Sequence, residues 1–520
     1  MTAPTITPTI TPVTDAPTSD APATTAAPHI APASATEGRT KIVATLGPAT
    51  RDAETLRGLF AAGVNVVRLN FSHGSHADHA AQVRTVREVA AEMGCTVALL
   101  QDLQGPKIRT GKLAGGEPVA LVPGATLRIT TEPIVGTAER VGTTYPELPG
   151  DVRPGDRILL DDGLMELRVE GVEGNEVVAT VIYGGMLKES KGMNLPGVAV
   201  SAPALTPKDR EDLAFGASLD VDYVALSFVR RPSDLREARA ALRKVNSTAQ
   251  LIVKVEKPEA LDDLPGILDA ADGVMVARGD LGVELSPERV PGVQKRLIRL
   301  ANEREKVVIT ATQMLESMTA NPRPTRAEAS DVFNAILDGT DAVMLSGETA
   351  VGKYPVATVQ MMRRIACEAE KVLPERPAPA PHRRITHLHA IAEAAVGLAT
   401  SVGARAMVVF TRTGRTAHLV SSLRPALPIY VVTPHAEVVR QLALWWGVHA
   451  TVAPFESDTD AAVATAEETL VAAGLLAPGD LIVIVSAATN VRDATGNLIK
   501  LDVVGGAQRH IEPLTANKIA

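Results

Sequence analysis

Between residues 250 and 280 lie two apolar runs that each end in a cation and a carboxylate. LIVKVEK closes on Lys254 and Glu256, and GVMVARGD closes on Arg278 and Asp280. Residues i and i+2 of a strand share a face, so each run, read as a strand, aims both charges the same way. Two carboxylates supply hard oxygen ligands for a divalent cation and leave positions for substrate oxygens and water. A lysine beside such an ion suits an anionic, phosphorylated substrate. Singly, each pair also reads as an ordinary ion pair at a strand end; repetition of the layout favours a site.

Other runs end in similar chemistry. NVVRLNFSHG puts Arg68, Asn70 and Ser72 on one strand face and Val67, Leu69 and Phe71 on the other, with His73 following in the loop. An arginine fork with an amide and a hydroxyl suits phosphate recognition. QDLQGPKIRTG carries Asp102, Lys107 and Arg109. TATQMLES sets Thr310 and Thr312 on one face, Thr312 nearer the strand end, where a threonine would equally cap a following helix.

These residues need a scaffold, and the chain has a regular one. Short β-branched runs alternate with helical patterns at 41–47, 65–72, 96–103, 221–229, 251–257, 273–280, 306–313 and 341–348. Eight such runs joined by helical connections predict a parallel (β/α)8 barrel of the TIM type, whose site lies at the C-terminal ends of its strands. Continuous apolar runs rather than strict alternation fit strands buried on both faces. The connection from Asp102 to Val221 is too long for one helix. VALVPGATLRIT, DRILLDDGLMELRVE and NEVVATVIY within it are strand-like and turn-punctuated, which predicts a small inserted β-barrel lid domain over 107–202. The barrel would take residues 37–106 and 203–373. PERPAPAPHRR at 374–384 reads as a linker. Beyond it, 385–520 alternate helix and strand as a smaller C-terminal α/β domain, with Trp445 and Trp446 late in a helical stretch and suited to interface or core packing.

Composition narrows the class. The 520 residues are 45% hydrophobic and 22% charged, as in an ordinary soluble protein, and only 3% aromatic, so aliphatic residues must build the cores. A net charge of −8 without a basic tract argues against nucleic-acid binding. No apolar stretch approaches the roughly 18 residues of a membrane span. Cys95 and Cys367 read as small buried hydrophobes, which suits a reducing, cytoplasmic setting. Residues 1–36 hold seven Pro, ten Thr and nine Ala, with no Lys or Arg, and read as a disordered tail.

In order along the chain, TKIVATLGPAT, NVVRLNFSHG, DLQGPKIRTG, NLPG, VKVE, MVARGDLGVE, ATQMLESM and MLSGETAVGKYP resemble the pyruvate kinase family over residues 39–510. The resemblance implies phosphoryl transfer from phosphoenolpyruvate to ADP, protonation of the resulting enolate to pyruvate, and a place as the last step of glycolysis. It implies Mg²⁺ or Mn²⁺ on Glu256 and Asp280, and Lys254 neutralising the migrating phosphoryl group. Backbone amides around Arg278, Gly279 and Asp280 would receive the substrate carboxylate, with the Arg278 side chain supporting the helix start. Thr312 would lie on the proton-donating side, and Arg68 would reach the phosphoryl group. Arg109, Lys191, His73 and Asn70 would face the nucleotide. A homotetramer is also implied.

One departure matters. Family members that need K⁺ hold it on residues matching Asn70, Ser72, Asp102 and the position of Leu103, where they carry Thr, and have Glu in a GPEIR motif. Here the motif is GPKIR. An ammonium from Lys107 would stand in for K⁺, because a unit charge ~4 Å from a phosphate oxygen contributes roughly 4 kcal/mol at intermediate dielectric. The expectation is Mg²⁺-dependent activity without a K⁺ requirement.

TRTGRTAH, between a strand and a helix, offers Thr411, Arg412, Thr413, Gly414, Arg415 and Thr416 as a phosphate cradle, although a plain strand-to-helix turn has the same look. The resemblance implies an allosteric phosphorylated effector there, AMP or a sugar phosphate. The segment VSAATNVRDATGNLIKLDVVG lacks the Gly/Pro-rich loop usual before the terminal strand, so fructose 1,6-bisphosphate is not assured and a monophosphate is favoured. Two other readings compete. A metal-dependent enolpyruvate lyase or aldolase would not need a lid with basic Arg109 and Lys191. A non-catalytic phosphometabolite-binding paralogue should have lost Lys254, Glu256, Asp280 or Thr312, and all four are present.

Overall fold

The computed structural model describes residues 38–373, 386–454, 459–486 and 498–506. The expected tail, the expected linker and most of the segment before the terminal strand lie outside the described residues. Eight parallel strands close into a barrel: β1 (Lys41–Thr45), β2 (Val66–Asn70), β3 (Ala98–Asp102), β4 (Tyr223–Leu226), β5 (Gln250–Val255), β6 (Gly273–Ala277), β7 (Val307–Ala311) and β8 (Ala342–Leu345). Each pairs with its sequence neighbour, and β1 pairs with β8 to close the ring.

Alternation along each strand divides two packing layers. Leu251, Val253 and Val255 on β5, with Val67 and Leu69 on β2, face the surrounding helices. Ile252, Val66, Ala98, Leu100 and Met275 fill the barrel interior. The same inward parity reaches Lys254 on β5, Arg68 and Asn70 on β2 and Asp102 on β3. The interior is therefore apolar along its length and charged at the C-terminal mouth. Burying so many charges requires mutual pairing.

Helices start where local chemistry supplies caps. Ser75 accepts from the Asp78 amide while Asp78 reaches back to the Ser75 amide, opening the helix His76–Glu92. Thr206 and Asp209 do the same for Pro207–Ser218.

Between β3 and β4 the chain forms a mainly β insertion, with a short helix at Leu148–Asp151. One sheet has six strands in the order Met193–Asn194, Arg157–Leu160, Met165–Glu173, Glu176–Tyr183, Thr126–Thr130 and Arg140–Gly142, and a separate ribbon pairs Val119–Leu121 with Gly185–Leu187. Val177, Ala179 and Val181 alternate into its own apolar core, with Leu127, Ile129 and Leu167 opposite. The turn after Glu173 closes the hairpin through Gly174 at φ 64°, in the left-handed region.

The C-terminal domain is a five-stranded sheet. Its strands are β9 (Ala406–Phe410), β10 (Ile429–Thr433), β11 (Val448–Val452), β12 (Leu481–Ser486) and β13 (Leu498–Val503), in the spatial order β11-β10-β9-β12-β13, with only β13 antiparallel. Arg440 Nε donates to Asp222 Oδ1 at 2.7 Å and the Lys41 ammonium to the Val448 carbonyl at 2.7 Å, joining this domain to the base of the barrel. Trp445 and Trp446 follow the helix Ala436–Leu442 rather than ending it. Trp446 is buried, with the guanidinium groups of Arg39 and Arg424 4.9 and 5.1 Å from its ring centre, in keeping with the packing reading. No helix among the described residues is long and apolar enough to cross a membrane.

Candidate active site

The apolar runs end sooner as strands than their sequence suggests. Glu256 lies one residue past β5, Thr312 one past β7, and Ser72 two past β2. Lys254, Arg68, Asn70 and Asp102 sit on the last two turns of the pleat, and the rest of the mouth is built by strand-to-helix loops.

Lys254 is the hub. Its ammonium lies 2.7 Å from Glu256 Oε1, 3.2 Å from Asp102 Oδ1 and 2.8 Å from Ser227 Oγ. Glu256 is buried, and its other oxygen accepts from the Phe228 amide at 2.8 Å. Asp102 also takes an ion pair from Arg68 at 2.7 Å, while Arg68 Nη1 donates to Thr45 Oγ1 at 3.1 Å. Burial would raise the Asp102 pKa, but Lys254 and Arg68 together outweigh it and hold the carboxyl below its usual range. Burial first and then the neighbouring Asp280 charge raise the Glu256 pKa to about 7 against the opposing pull of Lys254. Lys254 goes the other way: burial opposes its charge, but Asp102, Glu256 and Asp280 raise its pKa. The Asp280 charge is close enough to disfavour ionisation of Glu256, a repulsion that a divalent cation bound by both carboxylates would relieve. Among the described residues no group of three or more metal-type ligands occurs, so such an ion would take its remaining positions from substrate oxygens and water.

The second sequence pair behaves differently. β6 stops at Ala277, and Arg278 and Asp280 open the helix Arg278–Glu284, so they do not share a strand face. The Arg278 side chain is buried and bonds to the Ala311 and Thr312 carbonyls and to Asp331, away from the mouth. Thr312 Oγ1 accepts from the Gly279 amide at 2.7 Å and donates to the Ala311 carbonyl at 2.6 Å. Its hydroxyl thus caps the helix after β6 rather than the one after its own strand. Thr310, expected on the same face, is buried and bonds to Thr340 Oγ1 at 3.0 Å; the left-handed backbone at Thr312 breaks the alternation.

Around the rim, burial and then the charges of Lys107, Arg109 and Arg68 lower the His73 pKa, so the three cations converge on its loop. Asn70 Oδ1 accepts from the Ser72 amide at 3.1 Å. Leu103 is buried, and its carbonyl accepts from Ser227 Oγ at 2.8 Å. Lys107 remains exposed as a whole, yet desolvation in the cleft comes first in lowering its pKa, followed by the Arg109 charge, with Asp280 opposing. Arg109 donates to the Ser190 carbonyl at 2.9 Å, and Lys191 pairs with Asp161 at 2.8 Å, both within the insertion.

Several groups at the mouth had no reading from sequence. Lys257 donates to Glu284 Oε1 at 2.6 Å, and Asn194 of the insertion donates to the same oxygen at 3.0 Å, tying the two bodies together. Lys107, Asp162, Asn194, Arg230, Lys257 and Asp280 are among the residues lining the resulting cleft. Ser227 was findable, because it closes the fourth apolar run as Lys254 and Glu256 close the fifth. The insertion-to-barrel contacts carried no local signal.

In the C-terminal domain, the expected cradle is a strand-to-helix turn. Gly414, at φ 84°, precedes the helix Arg415–Ser422, and its amide donates to Thr411 Oγ1 at 3.0 Å. Arg412, Thr413 and Arg415 are exposed, and Thr416 is buried.

Residues 37–359 match the family model described as pyruvate kinase, barrel domain, and residues 389–501 match pyruvate kinase, alpha/beta domain. A pyruvate kinase of Mycobacterium intracellulare is 48% identical over 467 residues, covering 90% of this chain and 98% of the relative. One from Geobacillus stearothermophilus is 46% identical over 472 residues, covering 90% and 80% respectively. The crystal structure of a pyruvate kinase from Cryptosporidium parvum superposes with a TM-score of 0.84 at 36% identity, covering 90% of this chain and 96% of that one. With barrel, inserted sheet and C-terminal domain all matched at this identity, the chain belongs to the pyruvate kinase family of phosphotransferases.

Proposed function

We propose that the barrel mouth transfers the phosphoryl group of phosphoenolpyruvate to ADP and completes the reaction by protonating the enolate, as the closing step of glycolysis. The observation that carries this reading is the Lys254 ammonium, paired with both Asp102 and Glu256 and within electrostatic reach of Asp280. A divalent ion such as Mg²⁺ or Mn²⁺, bound by Glu256 and Asp280, would add positive charge to the oxygens of the migrating group and the enolate. Glu256 is paired with Lys254, and Asp280 lies within electrostatic reach of both Lys254 and Lys107.

Lys254 is held charged by its neighbours and neutralises the phosphoryl group in flight. Arg68, fixed by Asp102 and Thr45, presents its remaining face to the same group. The turn at Arg278, Gly279 and Asp280 orients the substrate carboxylate through its backbone. Thr312 orders the water that delivers a proton, its own hydroxyl proton being engaged by the Ala311 carbonyl. Arg109, Lys191, His73 and Asn70 serve the nucleotide. The Ser190 carbonyl on Arg109 and the Asp161 carboxylate on Lys191 are acceptors that phosphate oxygens can replace.

Lys107 replaces a monovalent cation in this reading. Donor groups that would hold K⁺ are already engaged: Asp102 by Arg68 and Lys254, the Leu103 carbonyl by Ser227, and Asn70 by the Ser72 amide. The turn Thr411–Thr416 binds a phosphorylated effector, AMP or a sugar phosphate, and the protein works as a homotetramer. Isothermal titration with AMP, glucose 6-phosphate and fructose 1,6-bisphosphate, together with light scattering, tests these last two points. For the reaction itself, mass balance of ATP and pyruvate from phosphoenolpyruvate and ADP is the test; pyruvate formed without ATP would point to a lyase or phosphatase instead.

A further inference from the structure

We infer that Arg278 is a positioning residue for the proton-transfer half of the reaction, acting by holding Thr312 in a strained backbone conformation. The inference rests on the phosphoryl-transfer reading above and extends it to a side chain that touches no substrate.

Thr312 and Gln313 have φ of 69° and 54°. The left-handed region is uncommon for any residue with a Cβ and a genuine outlier for a β-branched one. Such a conformation persists only where its surroundings over-determine it, and it is concentrated at functional sites. Arg278 supplies that determination. Its Nη2 donates to the Thr312 carbonyl at 2.6 Å and to Met314 Sδ at 2.7 Å, and its Nε to the Ala311 carbonyl at 3.2 Å. The other end of the fork is anchored by Asp331 Oδ2 at 2.6 Å and Gln294 Oε1 at 3.4 Å. Gln294 is in turn fixed by Asp338 at 3.0 Å. The guanidinium spans these acceptors on both sides of the strained peptide, which an ammonium on a flexible stem cannot do.

The consequence reaches the chemistry through one hydroxyl. With its carbonyl clamped, Thr312 aims Oγ1 at the Gly279 amide, one residue from Asp280. Arg278 therefore sets the relative position of the Thr312 side chain and the metal-facing turn. In the reaction, loss of the phosphoryl group leaves an enolate. One proton from solvent adds to its methylene carbon as the C–O⁻ becomes a carbonyl, so the overall transfer consumes one proton. Phosphoryl transfer depends on Lys254, Glu256 and Asp280; the proton step depends on Thr312 and the water it orders. Loosening Arg278 should slow the second more than the first.

The test runs the proton step alone. By microscopic reversibility, the intact enzyme with Mg²⁺ and inorganic phosphate should exchange the methyl hydrogens of pyruvate with D₂O, read by NMR. For Arg278→Lys the expected result is exchange slowed more than about 30-fold while KM for phosphoenolpyruvate changes less than about threefold. Asp331→Asn, at the solvent-accessible end of the fork, should slow exchange about three- to tenfold with the fold intact, and it decides the matter if Arg278→Lys does not fold. Wild-type exchange rates in the variants that fold would overturn the inference, as would a rise in KM with exchange unaffected. A wild-type protein that makes no ATP from phosphoenolpyruvate and ADP would instead sink the underlying reading.

Discussion

Lys254 Nζ sits 2.7 Å from Glu256 Oε1, a contact between residues two apart in sequence that spans the end of a buried strand and the start of its loop. The same ammonium reaches Asp102 on a neighbouring part of the barrel at 3.2 Å. One cation thus organises two buried carboxylates while remaining at the mouth, where a phosphoryl group arrives. Replacing it by Met keeps the stem and removes the charge. For Lys254→Met the expected kcat is lower by ~10³-fold or more, with a much smaller change in KM for phosphoenolpyruvate. Steady-state kinetics with saturating ADP and Mg²⁺ measure this. A KM effect alone would assign the lysine to ground-state binding.

Lys107 is expected to carry the monovalent-cation role. Wild-type activity should change less than about twofold when tetramethylammonium replaces K⁺ at constant ionic strength. Lys107→Glu should lose at least about tenfold in tetramethylammonium and recover with K⁺, since the added carboxylate restores a cation site and the lost charge leaves it needed. Strong K⁺ activation of the wild type would remove this role from Lys107.

The effector turn gives a separable prediction. Arg415 is exposed at the first position of a helix whose preceding Gly414 amide is turned onto Thr411. Arg415→Ala should weaken binding of the phosphorylated effector by about tenfold, the loss of one charge-assisted contact. Titration calorimetry of both proteins with the same ligand reads it. Equal affinities would place the effector elsewhere.

Acid sensitivity should follow His418. Its ring stacks on Trp445 at 3.8 Å, and burial, then the Lys306 charge, push its pKa down to about 3. The unfolded chain takes up that proton near ~6.5, so stability is full above this value and falls as pH drops through it toward the folded pKa. At about pH 5 the loss is at most ~2 kcal/mol, reduced further by the partial exposure of the ring. His418→Phe keeps an aromatic partner for Trp445 without a titrating group. Its Tm should fall less than that of the wild type between about pH 7.5 and 5. Parallel curves would show that acid loss arises at other groups.

Much of this architecture was legible because a parallel barrel imposes a severe pattern. Strands buried on both faces read as apolar runs, so a lysine inside LIVKVEK or an arginine inside NVVRLN stands out as a residue at the mouth. Asp102 was found for the same reason. Arg278 and Asp280 misled because strand parity was carried past Ala277 into a helix, where residues two apart point apart. Thr312 lies one residue past its strand, but its left-handed backbone is held by Arg278 from the start of another helix, which nothing local to Thr312 encodes. Glu284, Lys257 and Asn194 meet only when the insertion folds over the barrel, a contact between positions up to 90 residues apart that no local period encodes.

The central claim is that Lys254, Glu256 and Asp280 form one phosphoryl-transfer centre, and its most direct test is ATP formation from phosphoenolpyruvate and ADP. The wild type with Mg²⁺ should yield ATP and pyruvate in equal amounts, and Glu256→Gln should cut the rate by ~10²-fold or more, with partial recovery at high Mg²⁺ or Mn²⁺. Unequal ATP and pyruvate from the wild type, or an undiminished rate in Glu256→Gln, would contradict it.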